Sequence, residues 1–99
     1  MTEMNDHQKR IWKRMISSLD AYRSSRTGFY KMVGDLEGGL DAGEFHDQTL
    51  IRGFYDLWEE LEIARSLDGD AVPFAEVDDK VDAMQRFLRD ELSDAEGSA

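Results

Sequence analysis

Residues 34–47 read GDLEGGLDAGEFHD: four glycines and five carboxylates in fourteen positions, with a histidine near the end. Glycine and acid at this density could make a ligand loop. A phosphate cradle gathers backbone N–H groups and usually a lysine. Here Asp35, Glu37, Asp41, Glu44 and Asp47 stand with no Lys or Arg among them, and carboxylates repel phosphate. A metal would have to draw on Glu44, His46 and Asp47. Their i, i+2, i+3 spacing is not a ligand frame, and the other histidine is His7. A second acidic run, DGDAVPFAEVDD, begins at Asp68 like a calcium loop. It then places Val72 and Pro73 where an oxygen ligand and a glycine are required. No cofactor or metal is expected.

Catalysis needs a nucleophile with a base, or carboxylates held in contrasting surroundings. Ser17, Ser18, Ser24 and Ser25 lie in no such motif, and His7 and His46 sit in polar segments. The expectation is a protein that is not an enzyme. QKRIWKR, residues 8–14, gathers four basic residues around Trp12, but Trp12 belongs to an apolar stripe. Residues 32–99 hold five Lys/Arg against nineteen Asp/Glu, a charge of −14 that opposes a phosphate backbone. Nucleic acid is not an expected partner.

The whole chain of 99 residues carries −10, and the charge is uneven, since residues 1–31 hold seven Lys/Arg against three Asp/Glu. Two readings follow. The halves attract each other within the fold, or an acidic face steers a basic partner. Length and 40% apolar content give one globular domain. The chain lacks cysteine, which excludes disulfides and thiolate chemistry and suits a reducing, cytoplasmic setting. No apolar run approaches membrane-spanning length, and the polar start MTEMNDHQKR is unlike a signal peptide.

The elements that must position these residues are helical throughout. Ile11, Trp12, Met15, Ile16, Leu19 and Tyr22 share one face, giving a helix from about Glu3 to Arg23. Ser24 to Gly28 is a break, with Thr27 a candidate N-cap. Phe29, Val33, Leu36 and Leu40 make the second stripe, with Gly43 as its stop. Asp47 caps a third helix bearing Leu50, Ile51, Phe54, Leu57, Trp58, Leu61 and Ala64. After the turn Asp68-Gly69-Asp70, Pro73 suits a first helical turn. Phe74, Val77, Val81, Met84, Leu88 and Leu92 form the fourth stripe. Short loops imply an all-α, antiparallel four-helix bundle over residues 1–92 with a frayed tail from 93 to 99.

If the second helix continues through its glycines, Gly34 and Gly38 lie opposite its stripe, and something packs closely there: another helix, or a second copy in a homodimer. If it stops at Glu37, Gly38 is merely its terminator. On the third helix Tyr55, Asp56, Glu59, Glu62 and Ile63 point away from the stripe, apolar anchors within a charged field. On the fourth, Asp78, Asp79 and Asp82 make a second acidic group, which bases such as Arg86 could answer. These eight residues are the candidate partner-binding set.

GDLEGGLDAGEF followed by LIRGFYDLWEELEIA resembles a type of small, acidic, helical bacterial protein, similar to the immunity proteins that neutralise polymorphic or contact-dependent toxins. The resemblance spans about Leu19 to Leu67 and rests on Leu36, Leu40, Phe54, Trp58 and Leu61. It implies a non-enzymatic inhibitor that binds a basic toxin domain, and it carries over no individual binding residue. The alternative is a dimerising adaptor or regulatory subunit.

Overall fold

The computed structural model describes residues 3–97 and contains four helices joined by short connections: α1 (Asp6–Arg23), α2 (Phe29–Ala42), α3 (Gln48–Asp68) and α4 (Phe74–Glu96), with a single 3-10 turn, Gly69–Ala71, between the last two. No strand occurs among the described residues. Neighbours in sequence are neighbours in space, and α1 closes the ring against α4. The backbones of the diagonal pairs α1/α3 and α2/α4 do not approach closely. The result is an antiparallel four-helix bundle.

Each helix has a local reason to begin. Asn5 caps α1 in a reciprocal capping box: Gln8 N–H donates to Asn5 Oδ1 at 2.8 Å, and Asn5 N–H donates to Gln8 Oε1 at 3.1 Å. The helix therefore starts at Asp6 rather than near Glu3. Asp47 caps α3, accepting from Thr49 and Leu50 N–H at 3.0 and 3.2 Å. The cap of α2 differs from expectation. Its N-cap is Gly28, without a side-chain bond of its own, and Thr27 does not serve. Instead Asp70, forty residues away on the 3-10 turn, accepts from Tyr30 N–H at 2.8 Å. A Cβ at Gly28 would stand 2.6 Å from Asp70 Oδ1, so glycine is what lets the carboxylate reach this helix end. Pro73 lies just outside α4 as its N-cap.

The core is one cluster drawn from all four stripes, with Trp12, Leu19, Met32, Val33, Leu36, Phe54, Leu61, Val81, Met84 and Leu88 sealed from solvent. Two indoles tie it to the backbone. Trp12 Nε1 donates to Leu88 O at 2.7 Å, joining α1 to α4, and Trp58 Nε1 donates to Val33 O at 3.0 Å, joining α3 to α2. A buried indole N–H needs such a partner. Phe45, in the connection before α3, folds back to place its ring edge-on to Trp12 at 5.1 Å.

α2 runs through both glycines to Ala42, with Gly43 as its C-cap, so Gly38 does not terminate it. The close approach occurs at Gly39, which the sequence did not single out. A Cβ there would meet Met15 Cγ at 2.6 Å. α4 runs four residues beyond Leu92 into the segment expected to fray, ending at Glu96 with Gly97 as its C-cap. The remaining residues of the expected tail, Ser98 and Ala99, lie outside the described residues. No described helix is long and apolar enough to cross a membrane.

Candidate functional site

The exposed face of α3 is set by its diagonal position. With Leu50, Phe54, Trp58 and Leu61 turned into the core, a rotation of about 100° per residue sends Asp56, Glu59, Glu60, Ile63 and Leu67 to the opposite side. That ridge spans about 16 Å of helix axis at about 1.5 Å per residue. All five are exposed, and the apolar pair stands well clear of the fold, Ile63 at 61% and Leu67 at 77%. Among the described residues no basic side chain forms an ion pair with Asp56, Glu59 or Glu60. α1, the basic helix, is on the far side of the bundle and cannot answer them.

The other candidate residues have partners inside the molecule. Tyr55, expected to point outward, is half-buried. Its hydroxyl donates to Glu37 Oε2 of α2 at 3.3 Å, and its ring stands edge-on to Phe54 and Trp58. Burial, then the Glu37 and Asp41 carboxylates, push its pKa above the ordinary 10.0. Glu62 is also half-buried; it pairs with Arg65 and accepts from Ser66 Oγ at 3.3 Å. Arg65 in turn lies over the Tyr30 ring at 4.9 Å and approaches the backbone of α2 at Gly34, where a Cβ would stand 3.3 Å from its Nη1. Gly34 thus accommodates a side chain of this chain. At Gly38 nothing lies within 4 Å of a built Cβ.

On α4 the acidic group is largely answered. Arg23 of α1 reaches Asp82 at 3.5 Å and Asp78 at 3.9 Å, and Arg86 pairs with Asp82 at 2.7 Å. Asp79 stays exposed, its carboxylate accepting from Lys80 N–H at 3.0 Å. Asp78 and Asp82 face α1, so the two acidic groups of the sequence do not merge into one surface. Further α1–α4 pairs, Lys13–Glu96 at 3.3 Å and Arg89–Asp20 at 3.6 Å, follow the same pattern.

The structure therefore brings Asp56, Glu59 and Ile63 together and adds Glu60 and Leu67 to them. Leu67 closes the i, i+4 pair with Ile63, a spacing that is already present in the sequence. Such a ridge can do no bond chemistry by itself. Its carboxylates supply a negative potential, and its two aliphatic side chains supply area to bury. Among the described residues no group of three or more His, Asp or Glu is placed to hold a metal. The chain matches no family model, no curated protein and no solved structure.

Proposed function

We propose that this protein is a non-catalytic inhibitor, an immunity protein or antitoxin that occludes a basic toxin domain through the outer face of α3. One observation carries the reading: Asp56, Glu59 and Glu60 lie unpaired around exposed Ile63 and Leu67, on a helix whose other sides are engaged by its neighbours. Isolated exposed apolar residues are ordinary. An i, i+4 aliphatic pair among acids that form no ion pair is the pattern of an anchor with a steering rim. A nuclease is the natural target class, because it presents a basic cleft to phosphates and an acidic ridge of this length can occupy that cleft. Complementary charge would speed association, and burial of Ile63 and Leu67 would slow dissociation.

The test is affinity capture from lysate of the source organism, with wild type beside Asp56→Lys/Glu59→Lys/Glu60→Lys. Glu62 is left alone because Arg65 holds it. The expected result is one basic protein retained by wild type, released by salt and lost by the variant, whose toxicity on expression is relieved by co-expressing this chain. Capture indifferent to the charge reversal, or a captured protein whose activity this chain leaves untouched, overturns the reading.

A further inference from the structure

A cleft lies away from the α3 ridge, at the end of the bundle where the α1–α2 connection meets the start of α4. Its volume is about 660 Å³, within the ~300–1,000 Å³ range of small-molecule sites. Buried Val72 contributes to its lining, and Tyr22 and Phe74, packed on each other with ring centroids 5.8 Å apart and tilted by 32°, give it one continuous aromatic side. Phe74 keeps 46% of its surface exposed although the periodicity of α4 assigns it to the core. The only charged side chains lining the cleft are Arg23 and Arg26, in a protein of net charge −10.

The two arginines differ. Arg23 is engaged by Asp78 and Asp82. Arg26 is exposed and forms no ion pair with any described residue. The acid nearest the rim at Gly28, Asp70, is engaged with Tyr30 N–H. Ser25 and Thr27 add hydroxyls beside Arg26. One free guanidinium with neighbouring hydroxyls suits an anionic head group. The aromatic side suits a flat apolar body.

We propose that this cleft binds a small organic anion made of an aromatic body with a single carboxylate or phosphate head. The body is essential to the proposal: a protein this acidic repels a bare anion at long range, so contact with Tyr22, Phe74 and Val72 must supply what charge alone does not. The head lies against Arg26, Ser25 and Thr27, and the ring lies on the exposed surface that Phe74 and Tyr22 form together. The site is independent of the α3 ridge, none of whose residues lines it.

The experiment is a titration of ¹⁵N-labelled full-length protein with phenyl phosphate and with benzoate, which separate a phosphate from a carboxylate head. Inorganic phosphate and benzyl alcohol serve as half-probes. Saturable amide shifts confined to residues 22–28 and 72–74 are expected for at least one aromatic anion, with either half-probe binding more weakly. Arg26→Gln and Phe74→Ala should each weaken binding roughly fivefold or more, the scale of one charge-assisted contact at a half-open site. Glu59→Gln on α3 should leave binding unchanged. Both cleft residues are exposed, so helix content by circular dichroism should survive either substitution, and Arg26→Gln alone suffices if Phe74→Ala loosens the bundle. The proposal is overturned by an absence of saturable shifts at millimolar probe, by shifts spread over the surface, by inorganic phosphate binding as tightly as phenyl phosphate, or by Arg26→Gln binding like wild type.

Discussion

Two acidic groups that look alike in the sequence have opposite circumstances in the fold. Asp78 and Asp82 on α4 lie beside α1, and Arg23 reaches across to both while Arg86 answers from one turn along. Asp56, Glu59 and Glu60 on α3 lie diagonally opposite α1 and form no ion pair with a described basic side chain. The first reading of the uneven charge, attraction between the two halves, is therefore met along one seam, and the second remains the proposal made for α3. The basic first helix and the acidic remainder attract each other along the α1–α4 seam, whereas on α3 the acidity faces outward, around an aliphatic pair. Adjacency in the ring of helices separates an internal salt-bridge seam from a surface available to a partner.

This contrast can be broken by swapping charge at each place. The largest effect is expected on α3: Asp56→Lys/Glu59→Lys should slow association with a basic partner by roughly a hundredfold at low salt, read by surface plasmon resonance once that partner is captured. The same pair should leave thermal stability unchanged or slightly higher, because it relieves repulsion among neighbouring carboxylates. A reversal on α4, Asp78→Lys/Asp82→Lys, should do the converse. Partner binding should persist, and urea denaturation should show a loss of about 1 kcal/mol, since these exposed pairs are individually weak and the reversal opposes Arg23 and Arg86.

The two adjacent glycines of α2 sharpen the point with uncharged residues. Gly39→Ala drives a Cβ into Met15 and should cost about 1–3 kcal/mol through forced repacking. Gly38→Ala meets nothing and should stabilise by about 1 kcal/mol through helix propensity. Opposite signs at neighbouring positions in denaturant melts are the expected outcome, and equal signs would refute the packing described at Met15.

The smallest effect concerns Tyr55. Burial first, then Glu37 and Asp41, raise its pKa in the folded protein above the ordinary 10.0. The unfolded chain then loses this proton at lower pH than the folded one, so the contribution to stability is complete below pH 10.0 and is lost as pH rises through the folded value. Tyr55→Phe should flatten the decline in melting temperature above that pH relative to wild type.

Most of the fold was legible because core stripes are local. Phe29, Val33, Leu36 and Leu40 repeat at helical spacing and are all buried, as are Leu50, Phe54, Trp58 and Leu61. Asp47 as a cap, and Gly43 as a stop, are likewise decided by residues within one turn. What escaped depends on residues distant in the chain. Thr27 was the natural cap for α2, yet Asp70 holds that position from the α3–α4 connection. Tyr55 lies far enough from the stripe to point outward by rotation alone, but Glu37 on the neighbouring helix turns it inward. Met32 stands beside the Phe29–Val33–Leu36–Leu40 stripe and is fully buried, because α2 is covered on two sides rather than one. The α3 ridge could be half-read from rotation. That its acids lack partners while those of α4 have them required knowing which helices are neighbours.

The cap supplied by Asp70 bears on the order of folding. α2 is the shortest of the four helices at 14 residues and holds three internal glycines, so as an isolated peptide it falls below the length and propensity at which a helix sustains itself. Its first turn is held by a carboxylate that arrives only when α3, the 3-10 turn and α4 are arranged. During synthesis α2 therefore emerges as unstructured chain, acquiring its helix late and from its neighbours. In hydrogen exchange the amide of Tyr30 should open together with the α3–α4 connection, forty residues downstream, as one cooperative unit.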